Sequence, residues 1–523
     1  PVLARYHPRV VDGSQSVLVS ISGRCRYAPD ESWNLGVLDF YNEAGMCGLP
    51  LIDLKTGLRI GIHVAGVPAK LESWFAAFDC SKLKSILDET SSSIVVLPQC
   101  ASSTVLHVPG TGAYGLILPQ HRSYISKDNL LVPSPVPSPW PITKKPAHLK
   151  PFVNSLGETV SPLNIAWAKF AETPPYRTVT PISIDHAWFP HVPSKVRFNH
   201  LPNWETAIFG DGLALKPISS DTSVGPFLKT LSLARSDVID FAARTITPAF
   251  RALLDQCWDR LSSGPVVSWI EQNLKMELRD NADVDAGKTR IYFPGCIVLL
   301  IVARRAFGAW VTSLESAPTL SACAVGINMT SAQAAILAAR MGLNDPTRLH
   351  ITGDFSRYDV SIPYVAYSAF ADEVNHRFPA HLHSFNKNLI MSAAHSVHVA
   401  NSIGMYVTGM NLSGNYLTSI FGVFVHVEGV LSFMKSRSIT DVRITTYSDD
   451  GWYSIPATAQ FDLTLLRDWF RKRWTLKWTN AEKLSVLTYT APEDVTFLKR
   501  SFVKRKGILF APLPENTIRS ILQ

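Results

Sequence analysis

The sequence predicts an α+β protein in which an antiparallel sheet is backed by helices and preceded by a smaller all-β region. Three stretches carry that reading. In the first, β-favouring residues flank Ser448-Asp449-Asp450-Gly451, with Val442, Ile444 and Thr446 before it and Trp452, Tyr453 and Ile455 after it. This pattern reads as a β-hairpin with an exposed acidic turn. In the second, a short apolar strand from Leu349 to Thr352 runs into Asp354 and Asp359. A helix follows, with Ile362, Val365, Ala366, Ala369, Phe370 and Val374 on one face, Pro363 near its start and Pro379 beyond its end. In the third, residues 1–70 are strand-like, with Val17 to Ile21 and Leu35 to Tyr41 as candidate strands.

The two adjacent aspartates repel each other and call for a compensating charge. A pair of Mg²⁺ ions meets that need, with Mn²⁺ as the alternative, because carboxylates are hard oxygen ligands. Asp354, at the end of its strand, is placed to complete such a site with Asp449 and Asp450. An ordinary Asp-Asp-Gly turn is the plain alternative, as a helix-capping carboxylate is for Asp359. Between these stretches, Gly409 to Thr418 is a glycine- and serine-bearing loop that leads into an apolar helix from Ser419 to Met434. Glycine lets such a loop approach a nucleotide closely.

In this order, the stretches resemble the palm motifs of RNA-dependent RNA polymerases of picorna-like positive-strand RNA viruses. Asp354 and Asp359 stand for the first motif, Ser413, Gly414 and Thr418 for the second, and Tyr447 to Asp450 for the third. Further matches follow in the expected places. Phe497-Leu498-Lys499-Arg500 resembles the primer grip, and Ala481-Glu482-Lys483 the motif that carries a lysine general acid. Leu274 to Arg279 and Gly287 to Arg290 resemble the basic ring-finger motif, and Thr222-Ser223-Val224-Gly225-Pro226 the template-entrance motif.

The resemblance covers about residues 100–523 and implies a right hand of fingers, palm and thumb. It implies Asp354, Asp449 and Asp450 as metal ligands and Lys483 as the proton donor to pyrophosphate. It implies Asp359, Ser413 and Thr418 as sugar readers, Gly414 as a further substrate-binding residue, and Lys275, Lys288 and Arg290 as phosphate binders. Thr222, Ser223, Lys499 and Arg500 would contact RNA. The partners implied are an RNA template, a primer or product strand and ribonucleoside triphosphates, with a protein primer and other viral replication proteins. The setting implied is the host cytoplasm, at membrane-associated replication complexes. The chain departs from the family at Asp283, where a lysine is usual, and at Gly422, where relatives carry an asparagine that orients the sugar-reading aspartate. That second departure predicts weaker rNTP-over-dNTP discrimination, raised by Gly422→Asn.

Upstream, Gly45-Met46-Cys47-Gly48 and Gly61-Ile62-His63-Val64-Ala65-Gly66 resemble the C-terminal barrel of the chymotrypsin-like cysteine proteases of the same viruses. Cys47 would be the nucleophile, and His63 would favour Gln or Glu before the scissile bond. The family's base lies in an N-terminal barrel upstream, and His7 lacks its context. The protease part is therefore expected to be inactive, since a cysteine without a base stays mostly thiol. The chain is expected to be a polyprotein fragment cut within the protease and within the thumb. The domains expected are 1–85 for the protease part, 86–130 for a linker and the polymerase start, and 131–523 for the polymerase.

Composition agrees with this reading without selecting it. The chain has 523 residues, 46% of them hydrophobic, which excludes global disorder and exceeds one ordinary domain. Its net charge of +8 suits an anionic partner or a basic solvated surface. Seven cysteines without a C-x-x-C point to a reducing compartment and away from a zinc ribbon. The apolar run Cys296 to Ala303 is too short to span a membrane, and the run after Thr418 contains His426 and Glu428. Helices are further expected over Phe241 to Leu261 and Leu463 to Arg473. Three other readings remain open at this point: a reverse transcriptase, an inactive RNA-binding scaffold, and a cysteine protease as the main activity.

Overall fold

The computed structural model describes strand segments between residues 2 and 117, and then residues 131, 141–168, 180–190, 198, 201–212, 215–400, 403–481 and 486–521. The chain divides into two units: residues 1–108 with 114–122 and 402–405, and the remainder.

The first unit contains a closed antiparallel barrel. Its strands are β1 (Val2–Tyr6), β2 (Val19–Tyr27), β3 (Leu35–Asp39), β4 (Pro50–Asp53), β5 (Arg59–Val67) and β6 (Glu72–Ala77), in the order β1-β2-β3-β6-β5-β4. A register shift in β5 lies between His63 and Ala65.

The second unit is built on a four-stranded antiparallel sheet. Its strands are β7 (Arg348–Ser356), β8 (Arg443–Tyr447), β9 (Asp450–Pro456) and β10 (Lys477–Asn480), in the order β8-β9-β7-β10. Alternation of polar and apolar residues fails to bound β7, which continues through Asp354 to Ser356 because β10 supplies a pairing edge there. The expected hairpin is β8–β9, closed by a two-residue turn of Ser448 and Asp449.

Four helices pack around this sheet: α1 (Ile297–Ser316), α2 (Tyr364–Asn375), α3 (Thr418–Ser436) and α4 (Leu463–Trp474). The Phe355 ring of β7 meets the edges of His426 on α3 and Phe470 on α4, at 4.8 and 4.9 Å between centroids. The helix expected from Phe241 instead spans Pro248–Ser263, because Thr247 caps it and Pro248 fits its first turn. The α1 helix runs well past the Cys296–Ala303 stretch. It and α3 are long and apolar enough to cross a membrane, yet 61% and 78% of their apolar windows are buried inside the protein. Arg304 and Arg305 tie α1 to the Ala207 carbonyl of the short helix Trp204–Phe209 and to the Pro202 carbonyl before it, and the Arg305 guanidinium lies 4.1 Å from the Trp204 ring centre.

Two buried polar side chains, Glu428 and His398, have bonded partners. Glu428 on α3 accepts hydrogen bonds from Arg473, from Trp474 Nε1 (2.8 Å) and from the Ile182 N–H (3.0 Å). His398 is buried between Gln272 Nε2 and Ser396 Oγ, each 2.9 Å away, and burial alone lowers it to about 3. An unfolded imidazole titrates near ~6.5, so unfolding takes up a proton at mildly acid pH. The stability that His398 contributes is complete above about pH 6.5 and is lost as the pH falls toward about 3. Between pH 7 and pH 5 the loss is expected to be about 2 kcal/mol. Urea unfolding of wild type and His398→Asn at both pH values checks this: the pH dependence shrinks in the variant, and an unchanged dependence refutes the assignment.

Candidate active site

Strand register brings the carboxylates to one edge of the sheet. Gly353 of β7 pairs with Gly451 of β9, so Asp354 and Asp450 follow and precede paired residues at the turn end of the hairpin. Ser448 adopts a left-handed backbone (φ 59°), which closes the tight turn and leaves Asp449 exposed at its tip. Asp450 is partly buried, and its Oδ2 accepts the Leu498 N–H at 2.7 Å. Burial raises the Asp450 carboxyl to about 7, and the charges of Asp449 and Asp354 add to the rise against the Leu498 N–H and Lys499. Asp359, exposed on the short helix Tyr358–Ser361, accepts its neighbour Val360 N–H at 3.0 Å.

This donor set fits Mg²⁺ or Mn²⁺. It is all carboxylate oxygen, and it holds crowded negative charge that raises one of its own members. Among the described residues no three metal-binding side chains already close on one point. That is compatible with Mg²⁺, which commonly takes one or two carboxylates and completes its shell with water and substrate phosphates.

Three loops expected to serve the site meet through glycines. A Cβ on Gly225 would lie 2.5 Å from the Gly295 oxygen, one on Gly295 2.5 Å from the Gly414 oxygen, and one on Gly414 2.1 Å from the Gly295 nitrogen. No side chain fits in this column, so the 222–226 loop, the stretch that follows the basic segment and the 409–418 loop are held in backbone contact. Ser413 Oγ reinforces it by accepting the Phe293 N–H at 3.0 Å. The Thr418 hydroxyl points into its own loop, toward the carbonyls of Leu412 and Asn415. Its proton serves that loop, and its oxygen keeps acceptor capacity for a sugar hydroxyl. Thr222 and Ser223 are exposed, and Arg235 pins the loop through the Ser223 carbonyl at 2.9 Å.

The basic segment is partly neutralised by its own acids. Arg290 donates to Glu277 Oε1 at 2.6 Å, and both Asp359 and Asp449 help to keep its guanidinium charged. The Arg290 guanidinium thus feels the charge of the carboxylate edge while it is bonded to Glu277. Glu277 also draws Lys275 and Arg279 to 3.8 and 3.7 Å. Asp283 pairs with Arg279 at 2.6 Å and with Lys288 at 3.4 Å, so Lys288 already has a counter-ion. Sequence reading noted Asp283 but missed Glu277, although an acid amid Lys275, Arg279 and Arg290 was a visible signal. It also missed the Leu498 N–H. Leu498 and Lys499 both have positive φ (53° and 58°) and form the turn of a hairpin between Thr496–Phe497 and Arg500–Ser501. Lys499 is exposed there, while Arg500 is anchored to the Ala511 carbonyl at 2.8 Å. Lys483 and Cys47 lie outside the described residues, and His63 is described only as a position on β5.

The expectation that Gly422→Asn improves sugar selection meets a steric obstacle. A Cβ at Gly422 would lie 2.5 Å from Ser448 Oγ and 3.2 Å from Asn411 Nδ2. An amide is already at hand, since Asn411 donates through its backbone to the Asp359 carbonyl (2.6 Å) and through Nδ2 to the Thr418 carbonyl (3.0 Å). Overpacking of this kind costs about 1–3 kcal/mol, and transmitted to the acidic turn it is worth about 10- to 100-fold in rate. Gly422→Asn is therefore expected to lower kcat/KM for ATP and dATP together. An active variant with a raised ATP-to-dATP ratio would overturn this.

A carboxylate edge on an antiparallel sheet, reached by a basic segment and a glycine-held loop, belongs to polymerases of the right-hand type. The family described as viral RNA-dependent RNA polymerase matches residues 199–523. The chain belongs to that family. Its relatives are genome polyproteins of picorna-like viruses. That of Human klassevirus 1 is 28% identical over 477 residues, covering 88% of this chain, and that of Human rhinovirus A serotype 89 is 26% identical over 471 residues, also 88%. The chain spans only 18% and 19% of these polyproteins. Among solved structures, a sicinivirus 3Dpol RNA-dependent RNA polymerase aligns with a TM-score of 0.62 at 21% identity, over 81% of this chain and 86% of that one. This likeness supports the right-hand α+β fold. Residues 199–523 are therefore the region of the chain that belongs to this polymerase family.

Proposed function

We propose that this chain copies a positive-strand RNA genome by nucleotidyl transfer at the edge formed by β7 and the β8–β9 turn. The observation that carries the reading is the convergence of Asp354, Asp449 and Asp450, with Arg290 drawn toward Asp449 and Asp359. Asp354 and Asp449 would hold the divalent ions. When bound, Mg²⁺ would neutralise the triphosphate and make the 3′-hydroxyl a better nucleophile. Asp450, tied to the Leu498 N–H, would act from one side and tune the charge of the site. Arg290 and Lys275 would draw in the triphosphate, and Asp359 would meet the ribose 2′-hydroxyl, leaving catalysis mainly to positioning and charge. Lys483 is assigned the proton donor's role on resemblance alone. Lys499 would grip product-strand phosphate without sequence preference.

Extension of a primer on an RNA template with labelled rNTPs and dNTPs tests this reading. Mg²⁺-dependent incorporation of rNTPs in preference to dNTPs is expected. Preference for dNTPs would move the chain to the reverse transcriptases, and no incorporation to the scaffolds.

The setting proposed is membrane-associated replication in the host cytoplasm, with a protein primer as a further partner. The closed six-stranded barrel favours reading residues 1–85 as part of a cysteine protease, with His63 on β5 at its specificity pocket and Cys47 as the nucleophile. Cleavage of a Gln-containing peptide is expected to be absent, and cleavage that is lost on Cys47→Ala would refute that expectation.

A further inference from the structure

His426 lies two turns into α3 and is fully buried. Its Nδ1 is 2.9 Å from the Ser448 carbonyl oxygen, and its Nε2 bonds the Tyr453 hydroxyl. The same hydroxyl receives Trp478 Nε1–H at 3.4 Å. These roles admit one arrangement of protons. A carbonyl only accepts, so Nδ1 carries the imidazole proton. An indole only donates, so the Tyr453 oxygen accepts from Trp478 and sends its own proton to Nε2. Burial lowers the imidazole to about 4, which keeps this neutral tautomer in place at physiological pH.

The row runs directly beneath the acidic edge. A Cβ on Gly451 would lie 2.4 Å from His426 Cε1, and one on Gly353 would lie 2.3 Å from Trp478 Nε1. Gly353 and Gly451 are the chain neighbours of Asp354 and Asp450. Ser448, whose carbonyl ends the row, holds a left-handed backbone that a serine adopts only at a cost of about 1–2 kcal/mol without local support. Asp449 is the next residue.

We propose that His426 is a positioning residue for polymerisation: the row Trp478–Tyr453–His426 fixes the Ser448 carbonyl and so sets the turn that aims Asp449. This rests on the reading of Asp449 as a metal-holding carboxylate. In the sequence His426 shows only as a polar break in an apolar helix.

The test is Mn²⁺ binding to the full chain, free of RNA and nucleotide, by titration calorimetry, alongside the Mg²⁺ concentration that gives half-maximal extension. His426→Phe keeps a ring and deletes both nitrogens. It is expected to weaken Mn²⁺ binding about tenfold, the worth of one well-placed hydrogen bond, and to raise the Mg²⁺ requirement without changing the KM for ATP. His426→Asn, which puts an amide N–H near the Nδ1 position, is expected to restore most of the affinity. If His426→Phe fails to fold, Tyr453→Phe removes the donor to Nε2 and decides the same question through the same readout. Wild-type Mn²⁺ affinity in a folded His426→Phe or Tyr453→Phe, with affinity lost in Asp449→Ala, overturns the proposal alone. Wild-type affinity in Asp449→Ala overturns the site reading, and the proposal with it.

Discussion

Asp449→Ala is expected to reduce nucleotide addition by about 10²–10⁴-fold, because charge stabilisation by a bound divalent ion supplies several kcal/mol of the transition state and each 1.4 kcal/mol is about tenfold. Asp449 is exposed at the tip of the β8–β9 turn, so its loss would remove the proposed ligand without opening a cavity in the core. Asp354→Ala should act alike. Asp450→Asn should be milder, at about tenfold, because the amide oxygen can still accept the Leu498 N–H that holds this side chain. Single-nucleotide extension at saturating Mg²⁺, with circular dichroism to confirm folding, measures all three. Robust extension by folded Asp449→Ala would remove Asp449 from the reaction.

Arg473→Met is expected to cost about 3–5 kcal/mol, because it leaves a buried carboxylate without its counter-ion. Glu428 is fully buried on α3, and Arg473 Nε reaches its two oxygens at 3.1 and 2.9 Å. Methionine roughly matches the arginine stem in volume, so the loss reports charge more than packing. Trp474 Nε1 and the Ile182 N–H would remain as neutral donors that cannot balance the charge. Arg473→Lys should lose less, since one charged donor survives. Urea unfolding at neutral pH measures the difference. A loss below about 1 kcal/mol would place the pair among ion pairs that add little net stability.

What the sequence by itself determined was local. The β8–β9 hairpin, the strand that carries Asp354, though not its end at Ser356, the α3 and α4 helices and two strands of the barrel were legible because their residues repeat at strand or helix periods and are bounded by turn and capping residues. The acidic pair was legible because two adjacent carboxylates on a tight turn are costly without a cation. The tertiary structure alone decided which partners these groups have. The Leu498 N–H on Asp450 is a backbone atom 48 residues away, and backbone atoms leave no trace in residue identity. The Gly225–Gly295–Gly414 column depends on two close approaches among three segments, although each glycine looks like any loop glycine in sequence. Gly422 read as a missing donor, and its contact with the Ser448 and Asn411 side chains left no trace in the sequence. His426 read as an imperfection in an apolar helix, yet it is bonded to Ser448 and Tyr453 beneath the acidic turn. Periodicity reports how a segment faces the core. It carries no record of which distant segment supplies the opposing surface, and that surface sets burial, charge and hydrogen bonding at the site.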